Sequence, residues 1–300
     1  MTVQHFLTLD DLPSADLVQL IDRAIELKKL TKDGAIYEPL KHKSLAMIFS
    51  KSSTRTRVSF EVGMRQLGGG TLNLSPSDTQ IGRGEPIEDT ARVISSMVDG
   101  IMIRTDSHQQ VSTLAEYSSV PVINGLTDDF HPCQLLADMQ TLKELRGNIC
   151  GAKIAWIGDG NNVCHSFMNA ARIFGFELTI ATPKNYEPSE TLIQKNHTHI
   201  KLCDTPQDAA NCADVVVTDT WASMGQEQEK QKRLAAFSGY CVDAALMSLA
   251  NKDALFMHCL PAYRGMECTN DVIEGSQSVV FQEAENRLHA QKALLEYLLA

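Results

Sequence analysis

The sequence predicts an α/β protein built from two doubly wound parallel-sheet domains. Two consecutive series of short apolar segments alternate with stretches of helical periodicity. The apolar segments are continuous runs, such as Val215-Val216-Val217, and buried parallel strands typically have this pattern. A chain of 300 residues is long enough for two such domains.

The predicted elements follow one another in a regular order. Ser14 is expected to cap a first helix, whose apolar positions from Leu17 to Leu27 recur with helical spacing. A break near Arg146-Gly147-Asn148 divides the chain into domains at 1–147 and 148–283, and a last helix spans about 284–300. Strands are expected at 45–49, 71–74, 100–103 and 121–123, and then at 153–157, 177–181, 200–202, 214–218, 240–242 and 255–258.

Composition and charge exclude several classes of function. The formal net charge is -10, which argues against a nucleic-acid surface and against an anionic membrane as a partner. The N-terminal segment lacks the basic region and apolar core of a signal peptide, and no apolar run approaches the length of a membrane span. The eight cysteines are scattered without a Cys-x-x-Cys pair, so we expect reduced thiols in a cytoplasmic protein and no zinc site.

The most informative segment follows the first strand and reads Ser53-Thr54-Arg55-Thr56-Arg57. Phe60, Met64 and Leu67 then lie on one face of a helix, so this segment occupies the start of that helix. Free N–H groups and the positive end of the helix dipole attract an anion there, and guanidinium groups fit phosphate oxygens in a bidentate manner. Taken alone, an ordinary Ser/Thr cap followed by two solvated arginines explains the segment equally well.

Two other segments place polar groups at the ends of predicted elements. In His131-Pro132-Cys133-Gln134, the proline suits the first position of a helix, so His131 lies at its cap and Gln134 in its first turn. In His258-Cys259-Leu260-Pro261, the proline stops a strand, which leaves the Cys259 and Leu260 carbonyls as candidate acceptors. Adjacent side chains on a strand face opposite ways, so we do not expect His258 to activate Cys259 as a nucleophile.

Charged residues also close two of the predicted strands. Asp219 follows the run at 215–218, and a carboxylate at the C-terminal end of a parallel strand commonly faces a ligand crevice. A helix cap is the alternative for Asp219. Arg104 closes the strand at 100–103, where it serves either a phosphate site or the protein surface.

A turn at 156–163, with the sequence Trp-Ile-Gly-Asp-Gly-Asn-Asn-Val, favours a rival function as an NAD-dependent oxidoreductase. It resembles the first turn of a dinucleotide-binding fold, but Val163 replaces the third glycine of the fingerprint. The acid that binds the ribose is also missing from the end of the next strand, where Thr182 follows Ala181. A tight turn between strand and helix explains the glycines without a cofactor.

Taken together, these segments resemble the aspartate/ornithine carbamoyltransferase family. The resemblance extends from about residue 5 to the C-terminus, and the segments occur in the family's order. Asp219-Thr220-Trp221-Ala222-Ser223-Met224-Gly225 and His258-Cys259-Leu260-Pro261 are similar to the ornithine branch. The loop Asp78–Gly84 lacks the lysine that aspartate-specific relatives place nearby.

The resemblance implies transfer of the carbamoyl group of carbamoyl phosphate to the δ-amine of L-ornithine, giving L-citrulline and phosphate without a metal or an organic cofactor. It also implies a homotrimer with shared active sites and a last helix that folds back onto the first domain. Arg104, His131, Asp219 and Cys259 are the implied catalytic residues. The implied carbamoyl phosphate contacts are Ser53, Thr54, Arg55, Thr56, Arg104, His131, Gln134, Cys259, Leu260 and Arg287, with Gln80 from a neighbouring subunit. The implied ornithine contacts are Asn162, Asp219, Ser223 and Met224.

Three alternatives remain open from the sequence. Within the family, the acceptor could be another amine, such as putrescine. Outside it, an NAD-dependent oxidoreductase and a non-catalytic binding protein are the other candidates.

Overall fold

The computed structural model describes residues 3–75, 84–221 and 230–300, and its strands form two parallel sheets. The strand order is β2-β1-β3-β4 in one sheet and β7-β6-β5-β8-β9 in the other. The strands are β1 (Ser44–Phe49), β2 (Gly70–Leu74), β3 (Gly100–Arg104), β4 (Val122–Leu126), β5 (Lys153–Ile157), β6 (Glu177–Ala181), β7 (Ile200–Cys203), β8 (Val215–Thr218) and β9 (Leu255–His258).

Helices alternate with these strands, as expected for a doubly wound α/β fold. A short 3-10 helix, Leu9–Asp11, precedes the first α-helix. The α-helices are α1 (Ser14–Lys32), α2 (Thr54–Gln66), α3 (Ile87–Ser95), α4 (His108–Tyr117), α5 (Pro132–Arg146), α6 (Asn162–Phe174), α7 (Glu190–Asn196), α8 (Pro206–Ala210), α9 (Lys230–Ala236), α10 (Ala244–Met247), α11 (Asn270–Ile273) and α12 (Val280–Leu299). In the described ranges, no helix combines the length and apolar character that a membrane span requires.

The chain separates into two compact units. The first unit holds the residues up to Gln140 together with Glu285–Ala300, and the second holds Thr141–Ala284. The divisions therefore fall inside α5 and α12, whereas the sequence-based boundary was placed in the loop after α5.

In the first unit, the chain reverses its direction of winding between β1 and β3. β1 pairs with β2 on one side and with β3 on the other, and every pairing is parallel. Ala46, Ile48, Ile101 and Val122 contribute to the core beneath this sheet. Ligands of open α/β sheets bind beyond the carboxyl ends of the strands at such a reversal. The segments that follow β1 and β3 therefore occupy the expected ligand position.

The second unit repeats this arrangement around β5. β5 pairs with β6 on one side and with β8 on the other, so the reversal lies between β5 and β8. Ala155, Ile157, Val216 and Phe256 belong to one buried cluster of this unit. The turn after β5 and Asp219 after β8 both lie at carboxyl ends of strands, as the sequence predicted.

The last helix belongs in part to the first unit, which confirms its predicted return. Lys292 Nζ donates hydrogen bonds to Thr31 Oγ1 (2.8 Å) and Gln66 Oε1 (2.9 Å). Arg23 Nε pairs with the Glu296 carboxylate at 2.8 Å. α12 begins at Val280, four residues earlier than the periodicity of its leucines indicates.

Two local predictions were wrong. No strand spans 240–242, since Val242 forms only an isolated bridge with Cys268. Ser14 is the first residue of α1 rather than its cap, because Pro13 occupies the cap position. A proline with extended backbone can precede the first helical residue, as a residue with a capping hydroxyl can. The apolar spacing of α1 does not show which of Pro13 and Ser14 occupies the cap position.

Candidate active site

The start of α2 is built as the sequence predicts. Ser53 is the N-cap, and its Oγ accepts a hydrogen bond from Thr56 N–H at 3.3 Å. Thr54 is the first residue of the helix, and Thr56 is buried one position beyond Arg55. This segment directly follows β1, so its N–H groups and the positive end of the dipole lie at the reversal of the sheet.

The Thr56 hydroxyl joins two buried arginines from distant parts of the chain. Arg104 Nη1 donates to Thr56 Oγ1 at 3.3 Å, and Arg287 Nη2 donates to the same oxygen at 3.1 Å. A hydroxyl oxygen has two acceptor positions, and both are used here. The remaining hydrogen-bonding capacity of Thr56 is its own proton, so the arginines turn this side chain into a directed donor. Two guanidinium groups on one neutral oxygen also concentrate positive charge, which favours an anion nearby.

Gln134 has its amide orientation fixed by charged neighbours. Its Nε2 donates to Asp138 Oδ1 at 2.8 Å, and its Oε1 accepts from Arg287 Nη1 at 2.7 Å. When the Gln291 amide is placed to satisfy its surroundings, its oxygen accepts from Arg287 Nη2 (3.1 Å) and Nε (3.3 Å). Asp138 and Gln291 were not predicted as site residues. Each lies four residues after a predicted one on the same helix, and this spacing is the only sequence signal for them.

His131 is held in the neutral form. Burial lowers the pKa of His131 well below its usual 6.5, and the charges of Arg287, Arg104 and Arg55 lower it further. A neutral imidazole can donate one hydrogen bond without adding charge to this cationic region. The electrostatic effect also shows that three predicted arginines lie close enough to act on one imidazole.

Arg55 and Arg57 differ although they are neighbours in the sequence. Arg55 is partly exposed and acts electrostatically on His131. The Arg57 side chain is 58% exposed, and its Nε lies 3.7 Å from the carboxylate of Glu61. Arg57, the last residue of the Ser53–Arg57 segment, is thus a surface residue paired along its own helix.

In the second unit, the carboxylate of Asp219 accepts hydrogen bonds from three donors. Its Oδ1 accepts from Thr220 N–H at 2.7 Å and from the Cys259 thiol at 3.0 Å. Its Oδ2 accepts from Asn161 Nδ2 at 2.7 Å. All three contacts use this side chain as a hydrogen-bond acceptor. Such an acceptor suits an ammonium ligand, and the structure brings Asp219 and Cys259, both implied as catalytic by the resemblance, within hydrogen-bond distance.

Asn161 is a residue that sequence reasoning missed. Its Oδ1 caps α6 by accepting from Val163 N–H (3.0 Å) and Cys164 N–H (3.1 Å). Because this oxygen is occupied, the amide NH₂ is directed to Asp219. Asn162, the predicted ligand contact, is the first residue of α6 and its side chain is half-buried. Neighbouring asparagines are equivalent in a sequence pattern, and only the cap geometry separates them.

The glycines of this turn are explained by the protein's own packing. A Cβ atom at Gly160 would lie 2.3 Å from Pro188 N, so only glycine fits beside that backbone. Gly158 has a φ of +136°, which side-chain-bearing residues rarely adopt. Neither glycine therefore requires a dinucleotide as its explanation.

A buried ion pair supports the same turn. Arg233 Nη1 lies 2.6 Å from Asp159 Oδ2 and donates to the Trp221 carbonyl at 2.7 Å. Burial raises the pKa of Asp159 above its ordinary value, the charge of Arg233 opposes this rise, and Asp219 adds to it. Asp159 and Arg233 also line a cavity of about 550 Å³ with Lys184 and Tyr186.

His258 and Cys259 lie closer together than predicted. One ring nitrogen of His258, the Cys259 Sγ and a carboxylate oxygen of Asp219 all lie within 4.8 Å of one another. The prediction of opposite orientations was wrong because β9 ends at His258, so strand alternation does not extend to Cys259. Both ring nitrogens of His258 have protein partners, Leu260 N–H and Glu267. In this arrangement the imidazole is engaged elsewhere and suits neither activation of the thiol nor coordination of a metal ion.

Three predicted contacts cannot be placed. Gln80, Ser223 and Met224 lie outside the described residues. Leu260 lies directly after Cys259, with a φ of +56°.

One unit thus carries an arginine-rich anion site, and the other carries a carboxylate suited to a cationic group. Together these sites are typical of an enzyme that acts on one anionic and one amine substrate. Two family models match the chain almost from end to end. Residues 4–144 match the carbamoyl-P binding domain of aspartate/ornithine carbamoyltransferase, and residues 150–298 match its Asp/Orn binding domain.

Similar proteins agree with this match over their full length. The ornithine carbamoyltransferase of Hydrogenovibrio crunogenus is 62% identical over 300 residues, which are 100% of this chain and 99% of that protein. The one from Nitrosococcus oceani is 61% identical, covering 100% of this chain and 98% of that protein. The ornithine carbamoyltransferase structure from Pyrococcus furiosus has a TM-score of 0.95 at 48% identity and covers 99% of this chain and 97% of that chain. The chain therefore belongs to the aspartate/ornithine carbamoyltransferase family.

Proposed function

We propose that the protein transfers the carbamoyl group of carbamoyl phosphate to the δ-amine of L-ornithine, giving L-citrulline and phosphate. The observation that carries this proposal is the arginine-rich site, where Arg104 and Arg287 share Thr56 and act with Arg55 on His131. The names of the similar proteins support ornithine as the acceptor. The first unit is proposed to bind carbamoyl phosphate and the second to bind ornithine.

The proposed chemistry is direct attack of the neutral δ-amine on the carbamoyl carbon. Arg104, His131 and Thr56 are proposed to stabilise the oxyanion that develops, because they are preorganised donors in a buried region. Ser53, Thr54, Arg55, Thr56 and Arg287 are proposed to hold the phosphate. Gln134 and the carbonyls of Cys259 and Leu260 are proposed to accept from the carbamoyl NH₂, which orients the carbon for attack.

Asp219 is proposed to bind an ammonium group of ornithine, with Cys259 beside it. Asn162, Ser223 and Met224 are proposed to contact the amino-acid end of the substrate, on the basis of the sequence resemblance. Phosphate is the leaving group and can itself take up a proton, so neither a metal nor an organic cofactor is needed in this scheme.

We further propose a homotrimer in which Gln80 of one subunit completes the carbamoyl phosphate site of its neighbour. The resemblance in sequence supports this arrangement, as does the polar character of the loop from Ser75 to Gly84. A cytoplasmic location and a role in arginine metabolism belong to the same proposal.

Ornithine is expected to be the preferred acceptor in a parallel assay with carbamoyl phosphate and ornithine, putrescine or aspartate. Putrescine lacks the carboxylate proposed to meet Asn162, and loss of one charged hydrogen bond reduces kcat/KM by roughly 10- to 100-fold. Aspartate has no side-chain amine to attack. The measurement is the rate of carbamoylated product formed with each acceptor, followed colorimetrically. Equal or better use of putrescine would refute the ornithine assignment.

The rate of citrulline formation is expected to rise from pH 6 toward about pH 8–9. A free alkyl amine has a pKa of about 10.4, so on the order of a thousandth of it is neutral at pH 7. His131 does not contribute to this rise, because its lowered pKa keeps the ring neutral throughout the range. The measurement is kcat and kcat/KM for ornithine against pH, and a flat profile with rate-limiting chemistry would argue against direct attack by the amine.

A further inference from the structure

His258 is a buried histidine whose protonation pattern is fixed by its neighbours. The backbone N–H of Leu260 donates to its Nδ1 at 2.9 Å. A backbone amide can only donate at this position, so Nδ1 is an acceptor and the ring carries its proton on Nε2. Nε2 lies 3.2 Å from Glu267 Oε1, which therefore accepts this proton in a hydrogen bond. Both side chains are fully buried, at 0% exposure.

The side chains of His258, Glu267 and Glu283 accept three hydrogen bonds from backbone N–H groups of the segment 258–263. Glu283 Oε2 accepts from His258 N–H at 3.0 Å, where β9 ends. His258 Nδ1 accepts from Leu260 N–H, and Glu267 Oε1 also accepts from Tyr263 N–H at 2.6 Å. His258 is the last residue of β9 paired with β8, and side chains accept from the N–H groups of His258, Leu260 and Tyr263.

The bond to His258 determines where the Cys259 carbonyl points. The Leu260 N–H and the Cys259 carbonyl belong to the same trans peptide group, and in a trans peptide these two groups point in opposite directions. Holding the N–H against His258 therefore turns the Cys259 carbonyl away from the imidazole. The same peptide follows the Cα of Cys259, whose thiol donates to Asp219.

The local backbone does not favour this conformation by itself. Leu260 has a φ of +56°, in the left-handed region that costs a residue with a side chain of this size free energy. Such a conformation persists only where the surrounding structure holds it. His258 supplies that restraint one residue before the thiol, and Glu267 holds the tautomer that makes it possible.

We propose that His258 is a positioning residue, which fixes the Cys259–Leu260 peptide through the acceptor Nδ1 while Glu267 fixes its tautomer. The consequence for catalysis rests on the proposed function, in which the Cys259 carbonyl accepts from the carbamoyl NH₂. His258 itself touches no substrate in this scheme. Its role is to present the carbonyl and the thiol of its neighbour in one orientation.

Two substitutions of His258 separate this role from simple filling of the core. In His258→Asn, the amide oxygen can reach the place of Nδ1 and still accept from Leu260 N–H. In His258→Gln, the amide lies nearer the place of Nε2, so the bond to Glu267 is kept and the one to Leu260 is lost. Both variants replace a buried ring by a smaller polar group, so thermal unfolding of each gives the cost of the substitution itself.

The first measurement does not depend on the reaction. The alkylation rate of the half-buried Cys259 by iodoacetamide, followed by peptide mapping, is expected to rise about tenfold in His258→Gln, since loss of one hydrogen bond is worth about that factor. In His258→Asn it should stay close to that of the unsubstituted protein. The exposed Cys150 and Cys212 provide internal standards whose rates should not change. Equal rates at Cys259 in all three proteins, or equal increases in both variants, would overturn the proposal.

The second measurement tests the catalytic consequence. With carbamoyl phosphate and ornithine, His258→Gln is expected to lose about tenfold or more in kcat, and His258→Asn to retain most of it. Inhibition by inorganic phosphate, which lacks a carbamoyl NH₂, should be the same in all three proteins. A kcat loss of equal size in both variants would overturn the positioning role. If the unsubstituted protein forms no citrulline while the alkylation rates differ as expected, the proposed function is wrong and the positioning of the segment stands.

Discussion

Arg55→Gln is expected to reduce kcat/KM for carbamoyl phosphate by about 100- to 1,000-fold, the usual effect of removing one preorganised charged donor. Arg55 follows the first residue of α2 and acts electrostatically on His131, so its charge serves the same region as Arg104 and Arg287. Because its side chain is partly exposed, the free energy of unfolding should change by no more than about 0.5 kcal/mol. Citrulline formation and thermal unfolding of the purified variant measure the two effects.

Arg57→Gln is the matched control for this substitution. It makes the same chemical change two residues later on the same helix, at an exposed side chain paired with Glu61. Activity close to that of the unsubstituted protein is expected. If both variants lose activity equally, the effect comes from the general positive charge of the helix start. If Arg55→Gln unfolds at much lower temperature while its remaining folded molecules are fully active, Arg55 is structural.

Arg55→Gln, combined with Gln80→Ala, also tests whether the subunits of a trimer share their active sites. Subunits with Arg55→Gln and subunits with Gln80→Ala should each form impaired trimers. In a cyclic arrangement, every mixed trimer then contains one site with an intact Arg55 and an intact neighbouring Gln80. Activity after dissociation and joint reassembly should therefore exceed that of either parent. Verified mixed trimers with only the average of the parental activities would place both residues in one subunit's site, or exclude Gln80 from catalysis.

The parts of the site that the sequence predicts well lie next to strand ends. Ser53–Thr56 follows β1, Arg104 ends β3 and Asp219 follows β8, so each is positioned by an element with a strong apolar pattern. Once two parallel sheets are predicted, the reversal of winding brings these residues to the ligand edge. Continuous apolar runs and short connections were sufficient for this inference.

The parts that the sequence does not predict depend on hydrogen-bond direction over long separations. Asn161 rather than Asn162 donates to Asp219 because its oxygen is consumed by the cap of α6. Gln291 supports Arg287 because it lies one helical turn later on α12, and this spacing is the only sequence signal for it. β9 ends at His258 as predicted, but the bond of His258 to Leu260 depends on the turn of the backbone after it, which the apolar pattern does not show.

Asp219→Asn is expected to lower kcat/KM for ornithine by about 100- to 1,000-fold, because loss of one partner from a buried, hydrogen-bonded charge pair costs about 2–5 kcal/mol. KM for carbamoyl phosphate should change little. The substitution retains the size of the side chain but replaces one acceptor oxygen by an NH₂ group. Steady-state kinetics with each substrate varied in turn measure the effect.

The hydrogen-bond donors around Asp219 indicate that Asp219→Asn also lowers the free energy of unfolding. Wherever the new NH₂ group points, it meets a donor, since Asn161 faces one carboxylate oxygen and Thr220 N–H faces the other. Asn161 cannot reverse its own amide without giving up the cap of α6. Leaving one of these buried donors without an acceptor costs roughly 1–3 kcal/mol of unfolding free energy. The loss of activity must therefore be expressed per folded molecule.

Asp214→Asn is the control that separates the two effects. Asp214 lies just before β8, as Asp219 lies just after it, and its carboxylate accepts from Lys153 N–H (2.8 Å) and from Asn251 Nδ2 (2.7 Å). The same substitution therefore disturbs a similar set of donors at the amino end of the strand, away from the ligand edge of a parallel sheet. A fall in unfolding temperature with normal ornithine kinetics is expected. If Asp214→Asn reduces kcat/KM for ornithine as much as Asp219→Asn does, the carboxylate of Asp219 acts through stability and does not bind the ammonium group.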